Sequence, residues 1–274
     1  MKITEGELDG FITFIHDKCG IVLDHSKAYL MESRFAPLLA EYQFSSYDEL
    51  LEKAKKSPEL INRVIDTITT NETSFFRDQR PFDLLHSKVL PAWLDKLPKD
   101  HHGSLHVWSA ACSTGQEIYS IAITIREFLR NNFSKHTIKL TGTDIANSAI
   151  AKAKAGRYSQ MEVNRGIMPS VLQKYFIQDQ TEWKICSELR EIVSFQRQNL
   201  LKENVKSDKF DVIFCRNVAI YFSAVNRKIL FDKIADQLKD TGVLIIGSTE
   251  SLFGICDRLT RAEHDGTSYY LLRQ

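Results

Sequence analysis

The chain has 274 residues, 43% hydrophobic and 26% charged, with a formal net charge of +1, which suits a water-soluble protein of one large or two ordinary domains. Near-neutrality argues against an extended nucleic-acid surface, for which a clustered basic stripe is expected. The opening MKITEGELDG has no apolar signal core and no apolar run is long enough to span a bilayer, so the expected location is the cytoplasm, without membrane insertion.

In chain order, Leu8, Phe11, Ile12 and Ile15 recur at helical spacing, as do Ile61, Val64, Ile65 and Ile68, with the helical stretches RFAPLLAEY and SYDELLEKA between them. Residues 1–76 are therefore expected to form a small helical bundle. TTNETSFFRD follows at residues 69–78, where Thr69 and Glu72 fit a capping box that would open another helix, leaving Phe75 and Phe76 to a core. KLPKDHHGS, residues 96–104, reads as a connecting loop. After it the pattern changes. LHVWSAA, EIYSIAITIREFL, IKLTGTDI, NSAIAKAKAG, IVSFQ, FDVIFC, NRKILFDKIADQL and VLIIGS alternate strand and helix, which predicts an α/β fold with a doubly wound, mostly parallel sheet. The closing DRLTRAEHDGTSYYLLRQ reads as two strands joined by an Asp-Gly turn, like the hairpin that ends many methyltransferase sheets.

Open parallel sheets bind ligands at the carboxyl ends of their strands. The first strand runs into SAACSTGQE, whose small residues admit a ligand to the backbone; its single glycine makes neither a dinucleotide fingerprint nor a phosphate loop. That counts against NAD and ATP and fits a donor without phosphates, such as S-adenosylmethionine. Asp144, ending the second strand, either accepts hydrogen bonds from a ribose or caps the helix beginning near Asn147. Glu117 is either an exposed acid at a helix start or the partner of a ligand ammonium. In FDVIFCRNVAIYF, Arg216, Asn217 and Tyr221 lie at the rim of a site, or are a solvated arginine beside a structural tyrosine. Five scattered cysteines without a C-x-x-C pair suggest reduced thiols, with no disulfide framework and no metal.

TTNETSFFRD, WSAACSTGQEIYSIAI, TGTDI, FCRNVAIYF and GSTESL, in this order behind a helical segment, resemble the CheR family of chemotaxis receptor glutamate O-methyltransferases over nearly the whole chain. The resemblance implies a class I S-adenosylmethionine methyltransferase fold with a small all-α N-terminal domain (1–76), a methyltransferase domain (77–274) and an inserted β-subdomain (157–193). It implies that Asn71, Thr73 and Arg77 contact the donor, Glu117 its amino group and Asp144 its ribose. Asn199 and Leu200 would flank the adenine, Arg216 and Asn217 would complete the pocket, and Arg77 and Tyr221 would stand nearest the transferable methyl. The implied partner is the cytoplasmic helical bundle of methyl-accepting receptors, met by a monomer. Residues 1–100 carry 13 basic against 17 acidic side chains, an odd balance for docking on an acidic bundle, although Lys53, Lys55 and Lys56, or Arg34 and Arg63, could form a local basic face. By the same resemblance, tethered members carry a longer, glycine-bearing loop in the β-subdomain, so the short, glycine-free KYFIQDQTEWKICSELREIVSF implies that no C-terminal receptor pentapeptide is needed as a tether. A non-catalytic receptor-binding scaffold and a methyltransferase of another signalling receptor are the alternatives.

Overall fold

The computed structural model describes residues 2–98, 102–205 and 208–273. Helices α1 (Glu5–Cys19), α2 (Ala28–Glu41), α3 (Tyr47–Lys56) and α4 (Pro58–Ile68) open the chain. Thr4 and Glu7 form a reciprocal capping box at α1, Ser46 accepts from the Glu49 amide at α3, and Ser57 accepts from the Leu60 amide at α4 beside Pro58. These caps satisfy amides that have no partner within the helix. The apolar stripes meet in one core containing Phe11, Ile15, Phe35, Tyr47, Leu50, Val64 and Ile68.

The capping box expected of Thr69 and Glu72 is not formed. Helix α4 ends at Ile68 and Thr69 is extended, at φ −67° and ψ 143°. Arg34 competes for this stretch, donating to the carbonyls of Ile68 and Thr69 and to Thr70 Oγ1, while Glu72 turns away to pair with Arg165 at 3.0 Å.

Short helices α5 (Arg80–Leu84) and α6 (Leu90–Leu94), joined by one π turn, lead to the sheet. Of the expected loop at 96–104, residues 99–101 lie outside the described residues. Then come β1 (Ser104–Ala110), α7 (Gln116–Leu129), β2 (Thr137–Asp144) and α8 (Asn147–Ala155). The stretch where sequence periodicity falters holds β3 (Arg157–Ser159), α9 (Gln160–Asn164), α10 (Pro169–Tyr175), β4 (Phe176–Asp179), β5 (Glu182–Ile185) and α11 (Ser187–Glu191). Its strands make a separate sheet in the order β3-β5-β4. The chain closes with β6 (Val193–Arg197), β7 (Phe210–Cys215), α12 (Ala224–Gln237), β8 (Leu238–Ile246), β9 (Leu259–His264) and β10 (Thr267–Leu272).

The main sheet has the order β6-β2-β1-β7-β8-β10-β9. Its first five strands are parallel, and β10 is antiparallel to both neighbours. The expected hairpin turn is present, with Asp265 and Gly266 at φ 47° and 71°, the twist that suits a two-residue connection. Alternate residues of the central strands enter opposite cores: Leu105, Val107, Val212 and Phe214 on one face, Trp108, Ala110, Ile213 and Cys215 on the other. Burial on both faces explains why these strands are mostly apolar rather than alternating, with His106 and Ser109 in β1 buried as polar exceptions. Ala110 is in register with Thr143 and Cys215, Asp144 with Arg197, and Cys215 with Ile246. The loops after β1, β2, β6, β7 and β8 therefore leave the sheet at one end.

Candidate functional site

The loop after β1 is bent by Ala111, Ser113 and Gly115, at φ 59°, 50° and 96°. A Cβ at Gly115 would stand 2.9 Å from the Cβ of Ala153 and 3.0 Å from the Tyr158 hydroxyl, so only glycine allows the turn and the close approach of α8. The bend aims the Ser113 amide at Asp144 Oδ2, at 2.9 Å, and Asp144 Oδ1 accepts from the Ala146 amide at 2.9 Å. Asp144 is 6% exposed. Burial pushes its carboxyl above the ordinary aspartate value, against the pull of these amides and with a small push from the Asp66 charge. Each of its oxygens keeps lone-pair capacity for a further donor. The capping alternative is not what the structure shows, because the first amides of α8, those of Asn147 and Ser148, bind Asp66.

Glu117 is not an exposed helix-start acid. Its Oε1 accepts from Ser109 Oγ at 2.7 Å, and its Oε2 from Arg216 Nη1 at 2.9 Å. Nor is Arg216 solvated. Its side chain is 1% exposed, lies over the ring of Phe82, and uses Nη2 to bind Arg77 O at 2.8 Å and Asp78 Oδ2 at 2.9 Å. One guanidinium thus joins the loop after β7, the first turn of α7 and the TTNETSFFRD segment. That segment is fixed twice more, by Ser113 Oγ donating to Asn71 O at 3.0 Å and by the Phe76 amide donating to Ser120 Oγ at 2.9 Å. Arg77 spends one donor on Glu72 O, and the rest of its guanidinium has no partner among the described residues.

Asn217 adopts a left-handed backbone, φ 57°, and its amide donates to Glu250 Oε2 at 2.8 Å, which also accepts from the Gly247 amide at 2.8 Å. Burial pushes the Glu250 carboxyl above the usual glutamate value. Glu250 thereby braces the turn that leads to Tyr221. Sequence reasoning gave it no role, although GSTESL after the last parallel strand was the available signal. The side chain of Asn199 is committed elsewhere, with Nδ2 donating to Lys18 O at 2.8 Å and Oδ1 accepting from the Leu201 amide at 3.1 Å.

All ten residues singled out from the sequence, Asn71, Thr73, Arg77, Glu117, Asp144, Asn199, Leu200, Arg216, Asn217 and Tyr221, line one cavity of about 330 Å³, within the size range of small-molecule sites. Sequence reasoning missed the wall contributed by Cys19 to Leu30. There the Val22 amide donates to Tyr221 O at 2.9 Å and Ile21 bridges to Phe222. It also missed Gln198, a wall residue whose Nε2 donates to Glu203 O while its buried Oε1 has no partner among the described residues.

The CheR methyltransferase all-alpha domain matches residues 6–69, and the CheR methyltransferase SAM binding domain matches residues 71–267. The chain belongs to the CheR methyltransferase family. It is 37% identical over 262 residues to chemotaxis protein methyltransferase Cher2 of Pseudomonas putida, covering 93% of this chain and 94% of the relative. It is also 37% identical over 262 residues to chemotaxis protein methyltransferase 1 of Pseudomonas aeruginosa, covering 94% of each. The Borreliella burgdorferi chemotaxis protein methyltransferase is 36% identical over 260 residues, covering 93% of this chain and 91% of that one. As a CheR methyltransferase the chain carries out S-adenosylmethionine-dependent methylation in chemotaxis. Among the described residues no helix is long and apolar enough to cross a membrane.

Proposed function

We propose that this chain transfers the methyl group of S-adenosylmethionine to glutamate carboxylates on the cytoplasmic helical bundle of chemotaxis receptors, giving glutamyl methyl esters. The observation that carries this reading is one cavity at the carboxyl end of the parallel strands, where a buried carboxylate, a braced acid and a partly free guanidinium face one space. In this reading residues 1–76 form the helical domain, residues 77–274 the methyltransferase domain, and residues 157–193, which contain β3, β4 and β5, the inserted subdomain.

The residues present fit the donor. Asp144 has acceptor capacity for both ribose hydroxyls, and Glu117, held by Ser109 and Arg216, places negative charge where an ammonium group would lie. Asn71 and Thr73 close the cavity from the helical side, and Leu200 offers an apolar face to the adenine. Asn199 contributes there by position, its side-chain hydrogen bonds being used internally. When bound, the donor supplies a methyl carbon already activated by its sulfonium.

A glutamate is ionised at neutral pH, so the protein's main task is alignment in a site that excludes water. Arg77 holds the incoming carboxylate by charge-assisted hydrogen bonds, a role suited to a planar fork. Tyr221, its backbone tied to Val22, orients the reacting oxygen. Arg77→Ala is expected to lower single-turnover methylation at least about 100-fold while leaving a folded protein, and Tyr221→Phe to reduce turnover more than donor affinity. Full activity in Arg77→Ala would remove its role. The product tests the function itself: label transferred from donor to receptor is expected to leave as methanol in mild base, whereas base-stable label would mean nitrogen or carbon methylation.

Docking is proposed to need no receptor tether. The β4–β5 hairpin turns tightly through Gln180, held at φ 57° without glycine, which leaves little freedom to shape a surface for an added strand. An aromatic-acidic receptor pentapeptide is expected to bind no more tightly than about 100 µM; low-micromolar affinity in a titration would contradict this.

A further inference from the structure

Asp66 lies in the last turn of α4, two residues before the cavity wall begins at Ile68. Its carboxylate reaches across to the sheet domain and caps another element's helix: Oδ1 accepts from the Asn147 amide at 2.8 Å and Oδ2 from the Ser148 amide at 3.0 Å. These amides open α8, whose nominal cap position is Ala146, a residue with no side-chain acceptor. A negative charge there also meets the positive end of the helix dipole. Both ends of this clasp run into the donor cavity. On one side Ile68, Thr69, Thr70, Asn71 and Thr73 line it; on the other, Asp144 and Ile145 do. Ile145 also packs against the core of the helical domain.

We propose that Asp66 is a positioning residue for donor binding: by capping α8 across the domain junction, it holds the Ile68–Thr73 wall against the Asp144 loop. The proposal rests on the cavity being the donor site. Arg34 fixes the same wall from behind, through the carbonyls of Ile68 and Thr69 and the hydroxyl of Thr70, so the segment is held at both sides. Without Asp66, α8 keeps its own helical bonds but loses the link to the wall. The loss should therefore appear in donor affinity ahead of turnover.

The test is calorimetric titration of S-adenosylhomocysteine into the full chain, with thermal unfolding and the donor KM and kcat measured in parallel. Asp66→Ala is expected to weaken binding about tenfold, the worth of a lost cap, and to raise the donor KM by a similar factor with kcat within about twofold. Asp66→Asn keeps one acceptor oxygen and is expected to restore part of the affinity. Asn147→Pro removes one of the two donated amides from the other side; proline is tolerated at the first helical position, and the extended backbone of Ala146, ψ 119°, accepts a following proline. It is expected to weaken binding a few fold, and the double variant to bind no more weakly than Asp66→Ala alone. Unchanged affinity in Asp66→Ala, with only a lower melting temperature, would overturn the proposal, as would additive losses in the double variant. If Asp66→Ala fails to fold, Asp66→Asn and Asn147→Pro carry the same test. The titration uses the donor product alone, so a wrong receptor or acceptor group would leave the affinities intact, while absent binding in the wild type would instead remove the donor site.

Discussion

Arg216→Met is expected to destabilise the protein by about 3–5 kcal/mol, because it leaves the carboxylate of Glu117 buried without its cation. The side chain of Arg216 is 1% exposed and that of Glu117 12%, so solvent screens their attraction little. Asp78, 41% exposed, contributes much less to the stability of this group. The loss reaches beyond stability. Arg216 Nη2 also holds the carbonyl of Arg77, so the TTNETSFFRD segment loses its link to β7, and donor binding is expected to disappear with it. Urea unfolding of Arg216→Met alone and combined with Glu117→Gln separates the causes. The second change removes the stranded charge, and is expected to recover part of the stability but none of the donor affinity. A loss below about 1 kcal/mol in the single variant would mean that water reaches the pair.

Asp144→Ala is expected to weaken donor binding about 10- to 150-fold, the cost of removing a charged acceptor of hydrogen bonds. Calorimetry showing unchanged affinity would contradict the ribose assignment. The pH dependence has a definite sign. Burial raises the folded-state pKa of Asp144 above its unfolded value, so the fold favours the neutral acid, and ionisation costs stability as pH rises through the raised value. Donor binding by the carboxylate has the opposite dependence. Affinity is expected to fall as pH drops through that raised value, above the ordinary aspartate range near about 3.9. Asp144→Asn is expected to bind weakly and without this acid limb; a limb of the same size in that variant would assign it to another group, with Glu250, also raised by burial, the first to examine.

Much of the architecture is legible in local pattern. The strand runs of β1 and β7 are mostly apolar because both faces are covered, and the Asp265-Gly266 turn needs two left-handed residues, which those types supply. Of the ten cavity residues, Glu117, Asp144, Arg216, Asn217 and Tyr221 were legible because they follow strands at the carboxyl end of the sheet, whereas Asn71, Thr73, Arg77, Asn199 and Leu200 came only with the resemblance to the CheR family. Three features were not legible. The Thr69 capping box failed because Arg34, far away in sequence, takes the carbonyls that a helix continuation would use. Asp144 and Asn147 gave no sign that the helix cap comes from Asp66, since no spacing rule joins residues on different domains. The environments of Glu117 and Arg216 stay open in the sequence for the same reason: each is polar, and only the approach of β1, α7 and β7 turns them into a buried pair.

A structure of the full chain with S-adenosylhomocysteine bound decides whether this cavity is the donor site. The ribose hydroxyls are expected on Asp144, the amino group on Glu117, and the thioether sulfur facing Arg77 and Tyr221, all within the cavity closed by Ile21, Val22 and Asn71. Product seated outside this cavity, or inside it with the sulfur turned away from Arg77 and Tyr221, would mean that these residues do not form the methyl-transfer site.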